Sequence, residues 1–87
     1  MDIHHLFGKN VRHFRLKQGM TQQELAFRAK LEVAYVSKLE RGLKNATLET
    51  ISAVSIALAI QPSSLFDELG SEAPEPIKGG RKLKITN

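Results

Sequence analysis

Between Thr21 and Gly42 the chain reads TQQELAFRAKLEVAYVSKLERG, two short helical patterns separated by only Lys30, Leu31 and Glu32. Neither pattern is long enough to persist alone, because isolated helices under about 12–15 residues are marginal in water. They must therefore brace each other or a third element. Three residues cannot support an antiparallel return, so the second helix leaves the first at a large angle. Thr21 and Glu24 form an S/T-x-x-E capping box that opens the first of the two. Leu25, Ala26 and Ala29 supply its buried side. The second runs from about Val33 to Arg41, with Val36 and Leu39 inward, and Gly42 stops it as a C-cap.

The flanking chain provides the braces. From residue 3, Ile3, Phe7, Val11 and Phe14 recur at helical spacing, with Lys9, Arg12 and Lys17 between them. Asp2 is placed to cap this helix and Gly19 to end it. A polar loop, Leu43 to Ala46, leads to Thr47, a good N-cap for a further helix over Leu48 to Leu58. That helix is apolar over more than one face: Ile51, Ala53, Val54, Ile56, Ala57 and Leu58. Pro62 and Ser63 restart the chain into a fifth helix expected over Ser64 to Leu69. Five helices with connections of a few residues predict a compact all-α bundle. Residues 1–70 form this domain. After it, SEAPEP reads as a Pro-containing linker, and IKGGRKLKITN is a basic C-terminal tail with four cations in eleven residues. Residues 71–87 are thus set apart from the domain.

Composition narrows the function classes. Eighty-seven residues make one domain, near the low end of what supports its own core. There is no Cys, so neither disulfides nor cysteine-ligated zinc can reinforce it. A formal charge of +4, from 13 Lys+Arg against 9 Asp+Glu, tilts towards a polyanionic partner. No apolar run approaches the ~18 residues of a membrane span, and MDIHHLFGKN lacks the basic-then-apolar layout of a secretion signal. Location in the cytoplasm is the expectation. His4, His5 and His13 have no matching carboxylate or Cys set, so neither a metal nor another cofactor is expected. No nucleophile–base pair and no glycine-rich phosphate cradle appears, so the chain is not expected to be an enzyme.

Two short helices crossing at a tight turn constitute a helix-turn-helix. The major groove admits one α-helix, while a neighbouring helix braces across the backbone. Here the sequence resembles the lambda-repressor-like, or Cro/repressor-type, DNA-binding domains of the xenobiotic-response-element family. The matching residues are Phe7-Gly8, Arg15, Thr21-Gln22-x-Glu24-Leu25-Ala26, Tyr35-Val36-Ser37-x-Leu39-Glu40-Arg41-Gly42, Asn45, Thr47-Leu48 and Ala57-Leu58, in order and at the right spacing over residues 7–69. The resemblance implies a five-helix domain whose second and third helices form the helix-turn-helix. It also implies a structural ion pair between Arg15 and Glu40, and a phosphate contact from Gln22, where the helix N-terminus favours an anion.

The base-reading positions implied by the resemblance are Val33, Ala34, Ser37 and Lys38. Val33 and Ala34 stand where such domains often carry polar residues, so they offer apolar contact, for instance to thymine methyls. Ser37 can hydrogen-bond several bases, and Lys38 can reach guanine or a phosphate. Glu32 occupies the N-cap, where Ser or Thr is usual; capping is the favoured reading, acceptance from cytosine the other. Lys30 stands where the turn often has Gly, which implies a mildly strained left-handed residue. Tyr35, Arg41, Lys44 and Asn45, joined by Arg12, are candidates for contacts to the DNA backbone that position without specifying sequence.

Four small side chains discriminate little in one half-site, so a homodimer on a two-fold symmetric double-stranded operator is expected, with half-sites ~34 Å apart. Ala53, Ile56, Ala57, Ile60, Leu65, Phe66 and Leu69 form the candidate interface. Phe27 is an aromatic among polar neighbours and marks either a partly exposed ring or a protein contact. The tail reads first as a basic arm for phosphates, with a dimer-pairing strand or a minor-groove arm as alternatives. The functional expectation is a transcriptional regulator, a repressor of bacterial or phage type that is nucleoid-associated when bound. The rivals are an antitoxin and a protein-interaction module that kept the fold.

Overall fold

A computed structural model describes residues 2–68 of the chain. The linker and tail at 71–87, and Leu69, lie outside the described residues. Within them the elements are α1 (Ile3–Lys17), α2 (Gln22–Ala29), α3 (Val33–Glu40), α4 (Leu48–Leu58) and a 3-10 helix, Pro62–Phe66. The domain therefore has four α-helices among the described residues, not five. The fifth helix expected over Ser64 to Leu69 is instead one 3-10 segment starting at Pro62. Pro62 sets the first φ, and Asp67 is already extended, so the segment is too short to build a full α-helical turn beyond its start.

The helix boundaries follow local chemistry. Asp2 accepts from the His4 amide at 3.0 Å and starts α1. Thr21 Oγ1 accepts from the Glu24 amide at 3.0 Å while Glu24 Oε1 accepts from the Thr21 amide at 2.9 Å, completing the capping box. Thr47 Oγ1 accepts from the Thr50 amide at 3.1 Å and opens α4. Lys30 ends α2 in the left-handed region at φ 60°, the strained conformation expected of that turn.

The core collects one side of each helix: Phe7 and Val11 of α1, Leu25 and Ala26 of α2, Val36 and Leu39 of α3, Val54 and Leu58 of α4, together with Met20 and Leu65. The 3-10 helix closes this core against α1. Leu65 is fully buried, and Phe66 stacks on Phe7 with ring centroids 5.5 Å apart. Asn10 holds the same junction. Its Nδ2 lies 2.9 Å from the Leu65 carbonyl oxygen, 2.9 Å from that of Asp67 and 3.1 Å from that of Leu6.

α1 also packs directly on α3. Gly8 makes this approach possible, since a Cβ there would lie 2.1 Å from the Leu39 carbonyl oxygen. One turn earlier, the His5 ring packs on Gly42, which sits at φ 76° just past the end of α3. Arg15 adds the ionic tie. Its Nε donates to Glu40 Oε2 at 2.6 Å, its Nη2 to Glu40 Oε1 at 3.0 Å, and its Nη1 to the Met20 carbonyl at 2.9 Å. Glu40 is therefore fully engaged as a carboxylate and both residues are buried. The pair fixes α3 against α1, as expected from the resemblance.

Candidate nucleic-acid interface

α3 divides cleanly along its axis. Val36, Leu39 and Glu40 are buried, whereas Val33, Ala34 and Lys38 are exposed and Ser37 is half-exposed. At 3.6 residues per turn, positions 33, 34, 37 and 38 share one side of the helix, and Arg41 follows one turn beyond 37. The four expected reading residues thus lie together on an open face of a helix whose opposite face is locked into the core. The face mixes an apolar start with a hydroxyl and a cation. Val33 retains 45 % of its surface exposed at the start of this face.

The N-terminus of α3 corrects one expectation. Glu32 occupies the N-cap with extended backbone, yet its side chain makes no capping hydrogen bond. The longer glutamate does not fold back onto the first turn as Ser, Thr or Asp does. Its exposed carboxylate stands at the start of the exposed face of α3.

Gln22 is the first residue of α2 and is half-buried. Its Nε2 donates to Glu40 Oε1 at 3.0 Å, so the residue expected to meet a phosphate also completes the buried ionic network. No sequence signal announces this bond, because residues 22 and 40 sit on different helices. Of the other backbone candidates, Arg12, Lys44 and Asn45 are exposed. Arg41 is exposed with its Nε 3.4 Å from the Ser37 carbonyl, a length that holds the guanidinium weakly. Tyr35 is half-buried and packs against the core, which orients its ring.

The expected dimer residues separate into two groups. Ile56 is 74 % exposed on α4, with Ala53 and Ala57 half-exposed beside it. Ile60 and Phe66 are partly buried against the core of the same chain. Leu65 is fully buried in that core, so its side chain holds the 3-10 helix in place rather than facing outward. Phe27 is 85 % exposed on α2, beside Thr21, Gln23, Glu24 and Arg28.

Among the described residues no group of His, Asp and Glu is arranged to hold a metal ion, and no helix is long and apolar enough to cross a membrane. His5 Nδ1 lies 3.0 Å from Asp2 Oδ2, and that hydrogen bond lowers the Asp2 pKa. His13 lies edge-on to Phe14, and partial burial, helped by Lys17, pushes its pKa below the ordinary 6.5.

The protein-family model described as helix-turn-helix matches residues 11–65. The chain belongs to this lambda-repressor-like helix-turn-helix family. Its relatives include the control protein C.BamHI of Bacillus amyloliquefaciens, 45 % identical over 67 residues that cover 76 % of this chain and 83 % of the relative. Among solved structures, the restriction-modification controller protein C.AhdI from Aeromonas hydrophila superposes with a TM-score of 0.71 at 38 % identity, covering 72 % of this chain and 96 % of its own. The controller protein C.Esp1396I, crystallised as a tetramer with its natural 35 base-pair operator, gives a TM-score of 0.69 at 26 % identity, covering 76 % and 87 %. In this helix-turn-helix chain the matched span runs from the middle of α1 to the end of the core at Leu65.

Proposed function

We propose that the protein is a sequence-specific double-stranded DNA-binding transcriptional regulator, a repressor, that acts as a homodimer with α3 in the major groove. The observation that carries this reading is the division of α3. One side is locked by Val36, Leu39 and the Arg15–Glu40 pair, and the other presents Val33, Ala34, Ser37 and Lys38. A helix held that way enters a groove without losing further order, which lowers the cost of binding. Val33 and Ala34 meet apolar base edges, Ser37 and Lys38 donate to base acceptors, and Glu32 is free to accept from a cytosine amine. Gln22, Tyr35, Arg41, Lys44, Asn45 and Arg12 supply the sequence-independent contacts that set register on the phosphates.

Exposed Ile56 with Ala53 and Ala57 on α4 is the surface we assign to the homodimer. Two-fold symmetry then spaces the reading helices by about one turn of DNA, ~34 Å. Bound across a promoter, such a dimer represses by excluding the polymerase. Similarity to the restriction-modification controller proteins C.AhdI and C.Esp1396I supports the further reading that the regulated genes are those of a restriction-modification system.

Selection from random duplex DNA at near-physiological salt tests the proposal. A two-fold symmetric motif with half-sites about one turn apart is the expected result. Ser37→Ala and Lys38→Ala then relax the preference at particular base pairs, while Gln22→Ala weakens every site alike. A retained pool with no preferred sequence sinks the regulator reading and leaves a protein-interaction module. Unchanged specificity in the Ser37 and Lys38 variants would show that the reading face is assigned wrongly.

A further inference from the structure

The buried Arg15–Glu40 pair does more than tie α1 to α3, because its carboxylate has a third ligand. Glu40 Oε1 accepts from Arg15 Nη2 and from Gln22 Nε2, each at 3.0 Å, while Oε2 accepts from Arg15 Nε at 2.6 Å. Gln22 lies on the first turn of α2, where backbone amides point outward without helical partners and the dipole favours an anion. A primary amide has two N–H donors and one carbonyl acceptor, whereas an ionised carboxylate only accepts. Glu40 can therefore face only the nitrogen end of the Gln22 amide. One N–H is consumed, the other remains available, and the amide is prevented from flipping its carbonyl into the same place. Arg15 balances the charge of Glu40, so the carboxylate orients the amide without adding a net repulsion for a phosphate nearby.

From this arrangement we propose that Glu40 is a positioning residue for DNA binding, presetting the Gln22 amide with an N–H free for a backbone phosphate. This rests on the reading of α2 and α3 as a DNA-binding pair and goes beyond it. Glu40 belongs to the reading helix and Gln22 to the bracing helix, so one hydrogen bond sets the phosphate contact relative to the base contacts. Released from Glu40, Gln22 samples orientations in which its carbonyl oxygen opposes the phosphate, and part of the contact is lost.

Removing Glu40 alone leaves Arg15 buried and unpaired, so the test removes both charges in Arg15→Met/Glu40→Leu, a replacement that buried ion pairs often tolerate. Binding to the selected operator duplex is measured for the wild type, Gln22→Ala, Arg15→Met/Glu40→Leu and the triple variant, with thermal melts confirming that each is folded. Loss of one oriented hydrogen bond corresponds to about 3- to 10-fold in affinity. Arg15→Met/Glu40→Leu is expected to weaken binding by that factor when Gln22 is present, and by less than about twofold when residue 22 is already alanine. An equal loss in both backgrounds would mean that the pair only supports the fold, which overturns the proposal.

A Gln22→Ala variant that binds like the wild type overturns it too, while leaving the regulator reading intact; a wild type that binds no duplex removes the regulator reading itself. Should the charge-free variant not fold, side-chain amide NMR of the wild type decides. The expected spectrum shows one Gln22 N–H protected from exchange in the free protein and the other shifting when operator duplex is added. Two freely exchanging protons, neither moved by DNA, overturn the proposal.

Discussion

Replacing Gly8 by alanine tests how closely α3 is seated on α1. A Cβ built at Gly8 lies 2.1 Å from the Leu39 carbonyl oxygen, 2.8 Å from that of Glu40 and 2.9 Å from the Glu40 carbonyl carbon. Ordinary van der Waals contact begins near 3.4 Å, so the nearest atom must withdraw by about 1.3 Å, the difference between 3.4 and 2.1 Å. All three obstructing atoms are helix backbone and none can rotate away. Overpacking of this kind costs up to about 3 kcal/mol. The intrinsic helix preference of alanine over glycine returns about 1 kcal/mol. A net loss of about 2 kcal/mol remains, which lowers the melting temperature by roughly 8–16 °C in a domain of this size.

Because α3 carries the proposed reading face, operator affinity should fall further than the melt alone explains. Urea denaturation with a constant m-value, followed by operator binding well below the melting temperature, measures both effects. Gly19→Ala is the matched control, since nothing lies within 4 Å of its Cβ and only its φ of 70° is strained. That change costs about 1–2 kcal/mol and leaves binding by the folded protein unchanged. A Gly8→Ala protein as stable as the wild type would refute the close approach of the two helices.

Three further outcomes are expected. Arg15→Met alone leaves Glu40 buried without its partner and should destabilise by about 3–5 kcal/mol, whereas Arg15→Met/Glu40→Leu should recover most of that loss; chemical denaturation separates the two. Lys30→Gly relieves the left-handed cap at φ 60° and should stabilise the domain by about 0.5–1 kcal/mol, read as a higher urea midpoint. The folded His13 pKa is lowered by partial burial and then by Lys17, so the unfolded chain binds the proton first as pH falls. Stability is therefore full above 6.5, declines as pH drops through it, and levels off below the folded value. His13→Gln should flatten that part of the pH profile, and a profile unchanged by the substitution would contradict the assignment.

Much of the domain was legible because its signals are local. The capping box of Thr21 and Glu24, the caps at Asp2 and Thr47, and the spacing of Val36 and Leu39 each involve residues within a few positions. The α4 boundaries, Leu48 and Leu58, could be read directly for the same reason. The Arg15–Glu40 pair came from resemblance rather than spacing, since 25 residues separate the partners. Glu32 misled at the N-cap because its position was right but its side chain makes no cap. The last helix misled because Leu65 and Phe66 have helical content, yet Pro62 and the short segment favour a 3-10 turn.

What the sequence determined by itself is the set of short helices, their polarity and the tight α2–α3 turn, for these depend on neighbouring residues and on 3.6-residue periodicity. Tertiary structure alone decided which apolar residues are spare. Leu65 and Ile56 look alike in sequence, but one is sealed in the core and the other is 74 % exposed. It also decided that Gly8 is an inter-helix contact, that Asn10 joins α1 to the carbonyls of residues 65 and 67, and that Gln22 reaches Glu40. Each of these depends on how close two helices lie and which way they face, and neither quantity is encoded within a single turn of chain.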